Sequence, residues 1–219
     1  MMTLWPAAAA AGPLSAGWSV HTWWMRRRIE AARRDPLTGL MGRAAFEHRA
    51  ARLLRRGPAV VVCLDLDRFK QLNDRFGHAA GDAALRGTAA SLNDILEGCP
   101  GSIAARLGGD EFAAVVPATD AAAVPWLLGG LHDEITAPLW HDGRSLTVGA
   151  SIGAALTVDQ PLPDLSCALR RADEAMYAAK RAGGGWRVAT EAVPVLPSVN
   201  GRRAGRPGTH TTTPEGSPA

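Results

Sequence analysis

Arg106-Leu107-Gly108-Gly109-Asp110-Glu111-Phe112 sets two adjacent carboxylates directly behind a pair of glycines, and an apolar run over residues 113–116 follows. Paired glycines between two apolar stretches read as a tight hairpin turn, because glycine reaches positive φ without steric cost. A turn needs no carboxylates at its corner. Neighbouring negative charges repel unless a cation lies between them. Mg²⁺ suits that place, since it takes oxygen ligands from one or two carboxylates plus substrate phosphates. Taken alone, the string also fits a solvated hairpin with charged corners. A second acidic group, Asp65-Leu66-Asp67, ends the continuous apolar run 59–64, which has the character of a strand buried on both faces. A carboxylate at the end of a central strand, where backbone pairing stops, is well placed for a site.

The elements that must hold these groups can be read from periodicity. Residues 43–56 suit a basic amphipathic helix whose arginines form a solvated face. Leu85, Ala89, Leu92 and Leu96 recur on one face of a helix within 79–97, and the sequence Gly98-Cys99-Pro100-Gly101 breaks it. Residues 103–107 supply the strand before the hairpin. Residues 120–137 are helical in bias but interrupted by Pro125 and Gly129-Gly130. Residues 145–158 return to strand and contain Ser151-Ile152-Gly153. Residues 164–181 form a helix with Leu165, Leu169, Ala172 and Met176 on one stripe, ended by Gly183-Gly184-Gly185. Residues 186–189 can add a last strand. Alternating strands and helices around a few apolar strands make an α/β or α+β sandwich the expected class.

Charge separates this region from its flanks. Of the formal +3 of the 219-residue chain, residues 35–189 carry −2 and the flanks +5. The basic surplus belongs to the tails, which argues against a nucleic-acid partner, where a basic stripe on the domain itself is expected. Cys63, Cys99 and Cys167 are odd in number and widely spaced; Cys63 sits in an apolar run as a small hydrophobe, and a reducing compartment fits best. Residues 4–25 lack formal charge, are rich in Ala and Trp, and precede Arg26-Arg27-Arg28. They are long enough to span a bilayer, yet Pro6, Gly12, Pro13 and Gly17 dilute them, so a membrane anchor and a loosely ordered leader both stand. Positive charges after the apolar stretch disfavour a cleaved signal peptide and would keep the following domain cytoplasmic, at the inner face of the cell membrane if residues 4–28 touch it. The expected division is a leader at 1–34 that ends in a short linking helix from about Trp24 to Arg34, a folded domain at 35–189 and a disordered tail at 190–219.

Asp35-Pro36-Leu37-Thr38-Gly39-Leu40, Asp65-Leu66-Asp67-Arg68-Phe69-Lys70, Asn73-Asp74-Arg75-Phe76-Gly77-His78, Gly81-Asp82, residues 106–112, Ser151-Ile152-Gly153 and residues 172–180 occur in order. Together they resemble the GGDEF-domain diguanylate cyclases. The resemblance implies a nucleotide-cyclase/polymerase-palm-like (ferredoxin-like) sandwich with a central five-stranded sheet flanked by helices. It also implies the condensation of two GTP into cyclic di-GMP and two pyrophosphates. By that resemblance Asp65, Asp110 and Glu111 are the catalytic carboxylates. The same three, with the Leu66 carbonyl, would hold Mg²⁺ or Mn²⁺, and Glu111 would help deprotonate the attacking hydroxyl. Phe69 and Lys70 lie in the phosphate-binding turn, Lys180 offers a point charge, and Asn73 and Asp82 match the positions that read guanine. Read from sequence alone, Asn73 also suits a helix cap and Asp82 a surface helix position. A ring of two identical halves needs two half-sites, so a second copy of the chain is the implied partner.

Three departures stand out. Gly184 occupies the position of a phosphate-binding arginine, with Arg181 and Arg187 as neighbouring replacements. Cys99 and Ser102 stand where the family's Arg-x-x-Asp product-inhibition site lies, so no feedback inhibition through it is expected. Gly42 replaces the usual Asn. A catalytically silent module that binds nucleotide or docks a partner is the alternative to an active cyclase.

Overall fold

The computed structural model describes residues 34–117, 120–158 and 164–189. The expected leader with its short helix, all but Arg34, and the tail beyond 189 lie outside these residues. Among those described, no helix is long and apolar enough to cross a membrane.

The apolar run at 59–64 becomes β2 (Ala59–Asp67), the centre of the sheet, buried along almost its whole length. It pairs antiparallel with β4 (Glu111–Pro117) on one side and with β7 (Gly149–Leu156) on the other. β3 (Ile103–Gly108) pairs antiparallel with β4. Between them run α2 (Phe69–Phe76), α3 (His78–Glu97) and α4 (Val124–Thr136). The inner order β3-β4-β2-β7 with helices between is the ferredoxin-like β-α-β-β-α-β arrangement. β8 (Gly185–Val188) adds in parallel to β7, and the two-residue β1 (Met41–Gly42) adds in parallel to β3. The mixed sheet therefore has six strands rather than the expected five, the extra one being this short edge piece, which has too little apolar pattern to be seen in sequence.

Period-two alternation divides the core. Val60, Val62, Leu64 and Leu66 face a layer built by α3 and α4, through Leu85, Leu92, Leu128 and Leu131. Ala59, Val61 and Cys63 face the other layer, built by α1 (Arg43–Leu54) and α5 (Leu165–Arg181), through Phe46, Leu54, Ala172 and Met176. Asp65 continues this second row. Cys63 is buried as expected, and all three cysteines are free.

Two details differ from the sequence reading. Pro125 does not interrupt a helix: it lies in the first turn of α4, where its missing N–H removes no intrahelical bond. Residues 145–158 are not one strand. β6 (Arg144–Leu146) pairs with β5 (Leu139–His141) in a separate hairpin, turned by Asp142 and Gly143 at φ 49° and 70°. Both positive values match the Asp-Gly preference of a type I′ turn. Gly42 is the N-cap of α1 and offers no side-chain hydrogen bond, which relative to an Asn cap costs about a few tenths of a kcal/mol.

Candidate active site

The carboxylates meet because β2 and β4 are in register. Asp65 is the Cα partner of Glu111, so the two side chains share one face at adjacent strands. Asp110 follows the glycines of the β3–β4 turn, and its carbonyl accepts a hydrogen bond from the Leu66 N–H at 3.3 Å. The turn needs its glycines: Gly108 and Gly109 have φ of 146° and 56°. Pairing with β4 does stop at Asp65, while β2 itself runs on to Asp67 against β7.

Asp65 is buried, and its carboxyl is pushed up by that burial; the Lys180 ammonium holds it down, and Asp110 and Glu111 raise it further. The Lys180 Nζ donates to Asp65 Oδ1 at 2.5 Å. Lys180 reaches it because α5 packs across this face of the sheet, with Ala172 and Met176 seated on the backbone of Gly153. A Cβ at Gly153 would lie 2.1 Å from the Ala172 carbonyl oxygen and 2.1 Å from the Met176 nitrogen. The Ser151-Ile152-Gly153 string thus serves the site by position. Ser151 Oγ donates to Asp67 Oδ1 at 2.7 Å, and Gly153 lets α5 approach.

Asn73 and Phe69 both lie on Gly81, where an added Cβ would meet Asn73 Oδ1 at 1.9 Å and Phe69 at 3.2 Å. Asn73 is not a side-chain cap, since the cap of α3 is Gly77 without a side-chain hydrogen bond. Asp82, next to Gly81, is half-exposed and pairs with Arg86 one turn on at 3.8 Å. Lys70 is exposed on α2. The fold therefore gathers Asp65, Leu66, Asp110, Glu111 and Lys180 at the strand ends, and Phe69, Asn73 and Asp82 at the α2–α3 junction.

The donor set is oxygen throughout. Among the described residues no group of three or more carboxylate, histidine or cysteine side chains closes on a metal site by itself. Mg²⁺ takes oxygen ligands from carboxylates and completes its shell with phosphate oxygens and water. The upward push on Asp65 from Asp110 and Glu111 is the strain a divalent cation would relieve. The residues fit the ion.

Asp35 and Arg106 also organise this site, and sequence reasoning assigned them no role. Asp35 Oδ1 accepts from the Thr38 N–H (2.9 Å) and hydroxyl (2.7 Å), closing the 35–40 turn. Arg106 Nη1 donates to both Asp35 oxygens at 3.1 and 3.2 Å, while its Nε and Nη2 donate to the Gly109 carbonyl at 2.9 and 2.7 Å. One guanidinium thus ties the 35–40 turn to the turn that carries Asp110. The available signal was Asp followed three residues later by Thr, an Asx-type turn. Arg43, at the start of α1, lies 3.7 Å from Glu111 Oε2 in a largely exposed pair.

A family model described as "Diguanylate cyclase, GGDEF domain" matches residues 32–185. This chain belongs to the GGDEF-domain diguanylate cyclase family. An uncharacterized 19.3 kDa protein of Streptomyces ambofaciens is 47% identical over 165 residues, covering 75% of this chain and 87% of that protein. Diguanylate cyclase TpbB of Pseudomonas aeruginosa is 39% identical over 166 residues, 71% of this chain and 37% of TpbB. Diguanylate cyclase DgcP of the same species is 39% identical over 155 residues, 68% of this chain but 22% of DgcP. The chain thus spans well under half of these two cyclases. Among solved structures, the coiled coil and GGDEF domain of DgcB from Caulobacter crescentus, in complex with c-di-GMP, superposes with a TM-score of 0.73 at 27% identity. The match covers 84% of this chain and 98% of that solved chain. The isolated GGDEF domain of TpbB gives a TM-score of 0.66 at 38% identity, over 72% of this chain and 95% of that one.

In this GGDEF domain the Arg106 tie predicts an acid-sensitive contribution. Burial raises the Asp35 carboxyl, but hydrogen bonds from Thr38 and Arg106 outweigh it and hold it below its ordinary 3.8. A depressed carboxyl stabilises the fold above its unfolded value, and that stabilisation fades as pH falls through the lower folded value. Arg106→Ala should cost about 1–3 kcal/mol at neutral pH. Urea titrations at descending pH should show the gap between wild type and variant closing below pH 3.8.

Proposed function

We propose that this domain is an active diguanylate cyclase that joins two GTP molecules into cyclic di-GMP across a homodimer of facing half-sites. The observation that carries it is the cross-strand pairing of Asp65 with Glu111, beside Asp110 and Lys180. In each of two equivalent steps, the 3′-oxygen of one GTP forms a bond to the α-phosphorus of the other. The α–β phosphoanhydride bond breaks, and pyrophosphate leaves with the electron pair. Glu111 takes the hydroxyl proton. Asp65, Asp110, Glu111 and the Leu66 carbonyl would hold Mg²⁺, with Mn²⁺ as a substitute. Bound there, the ion supplies charge neutralisation at the phosphates. Lys180 places its ammonium beside the same phosphates, and Phe69 and Lys70, which form the first turn of α2 rather than the loop before it, line the approach. Asn73 and Asp82 present acceptors and a donor complementary to the guanine edge.

Each half-site holds one GTP, so neither closes the ring alone. Product per milligram of protein should therefore rise with protein concentration. The test is mass spectrometry of purified protein incubated with GTP and Mg²⁺, beside an Asp110→Ala, Glu111→Ala double variant. Cyclic di-GMP from the wild type alone supports the reading. Nucleotide binding without product at concentrations that force dimers would favour the silent module, a reading that Gly184 keeps in view.

Feedback should be absent at the upstream turn. Cys99 and Ser102 close that turn through a Ser102 N–H to Cys99 carbonyl bond of 3.1 Å and present neither a guanidinium nor a carboxylate. Initial-rate assays with added product at low micromolar concentration should give unchanged rates; strong inhibition there would contradict this.

A further inference from the structure

Gly184 leaves the phosphate end of the site one cation short of the family pattern, and its backbone does not readily accept the missing side chain. Its φ is +104°, and an added Cβ would meet Asp67 Oδ2 at 2.9 Å. The flanking Gly183 and Gly185 are also left-handed, at 101° and 92°. Arg181 and Arg187, the neighbours in sequence, are exposed on α5 and β8. Neither lines the cleft that opens beside this turn.

That cleft has a volume of about 700 Å³ and is walled by Lys180 and Gly183 on one side. The lining also takes in α2, whose Gln71, Leu72 and Arg75 fall at i, i+1 and i+4 on one helical face, and Arg68, the left-handed N-cap just before that helix at φ 56°. Asn73 lies on a different face, against Gly81. The cleft is thus bordered by Lys180, Arg68 and Arg75 against one carboxylate, Asp67, which the Ser151 hydroxyl already engages. The Arg75 guanidinium lies 4.9 Å from the centre of the Phe76 ring, which lines the same cleft.

We propose that Arg75, seconded by Arg68, grips the β- and γ-phosphates of GTP from the α2 side of this cleft, in place of the arginine missing at position 184. The inference rests on the GTP reading above and adds to it the residues that select a triphosphate. A planar guanidinium can bind phosphate oxygens in pairs, whereas Lys180 alone is a point charge.

The test is equilibrium binding, free of turnover, by calorimetry with Mg²⁺. The ligands are GMP and the α,β-methylene analogue of GTP, whose α–β linkage cannot be cleaved by the reaction. Arg75→Ala should weaken the triphosphate analogue by about tenfold or more and leave GMP within about twofold. Arg75→Lys should recover part of the loss, and Arg187→Ala should change neither ligand. Wild-type melting temperatures in the variants separate lost contact from lost fold. Unchanged binding in Arg75→Ala, or an equal loss for both ligands, overturns the assignment. A wild type that binds neither guanine nucleotide overturns the GTP reading itself, a result seen before any variant is compared.

Discussion

Asp65→Asn should reduce cyclic di-GMP synthesis by at least about a thousandfold while leaving the metal-free protein as stable as before, or more so. The exchange keeps the shape of the side chain and removes its charge. Of the three carboxylates Asp65 is the buried one, and both the burial and the charges of Asp110 and Glu111 oppose its ionised form. A carboxyl raised in the folded state contributes stability below its unfolded value and loses it as pH rises through the folded one. At neutral pH the ionised group therefore costs stability. Removing it should raise the melting temperature in buffer with chelator, even though Lys180 loses its partner; that ammonium is half-exposed and returns to water. Loss of activity with a gain in thermal stability is the signature of a residue kept for chemistry. A variant that melts early would instead mark Asp65 as structural. Retained synthesis would remove it from the catalytic set.

Gly153→Ala should be the most damaging single methyl in the domain. Its Cβ would fall 2.1 Å from two backbone atoms of α5, and backbone, unlike a side-chain tip, cannot swing away. Either α5 lifts from β7 or the strand buckles. Overpacking of this kind costs about 3 kcal/mol or more, which in a domain of this size lowers the melting temperature by roughly 10 °C. Because α5 carries Lys180, the lift would also separate it from Asp65. Differential scanning calorimetry reads the first effect. The second appears as lost affinity for the triphosphate analogue even at temperatures where the variant is folded. Wild-type melting would show that α5 does not sit where described.

The sequence was most readable where periodicity was strong. The run 59–64, the leucine stripe of α3 and the stripe of α5 lie where apolar spacing put them, because each buries a face against the sheet. The glycine turn was readable from chemistry, since its positive φ values leave few other residues. The β5–β6 hairpin was equally available in Trp140-His141-Asp142-Gly143-Arg144, but its strands are too short to show alternation. β1 was not readable at all, because two residues at an edge carry no pattern. In the site, residue types pointed to the carboxylates, and register explains why they meet. The roles of Asp35 and Arg106 were hidden because their bond joins residues 71 positions apart. Arg75 was hidden for the opposite reason: as one arginine in a polar helix it looks like solvated surface until the cleft beside it is seen.

The alternation along β2 carries a consequence for how chains like this can change in length. Val60 to Leu66 and Ala59 to Asp65 are two interleaved rows, one for each face, and Asp65 belongs to the same row as Val61 and Cys63. Inserting or deleting one residue upstream within the strand would send Asp65 into the apolar layer of α3 and α4 and turn leucines toward Lys180. A change of two would restore the face but misalign Asp65 with Glu111. The proposed site and the packing thus share one reading frame in the central strands, and neither can drift without the other. Insertions have to go elsewhere. The Asp142-Gly143 tip, in a hairpin outside the main sheet, is where an inserted peptide or sensor module should be accepted with the site intact.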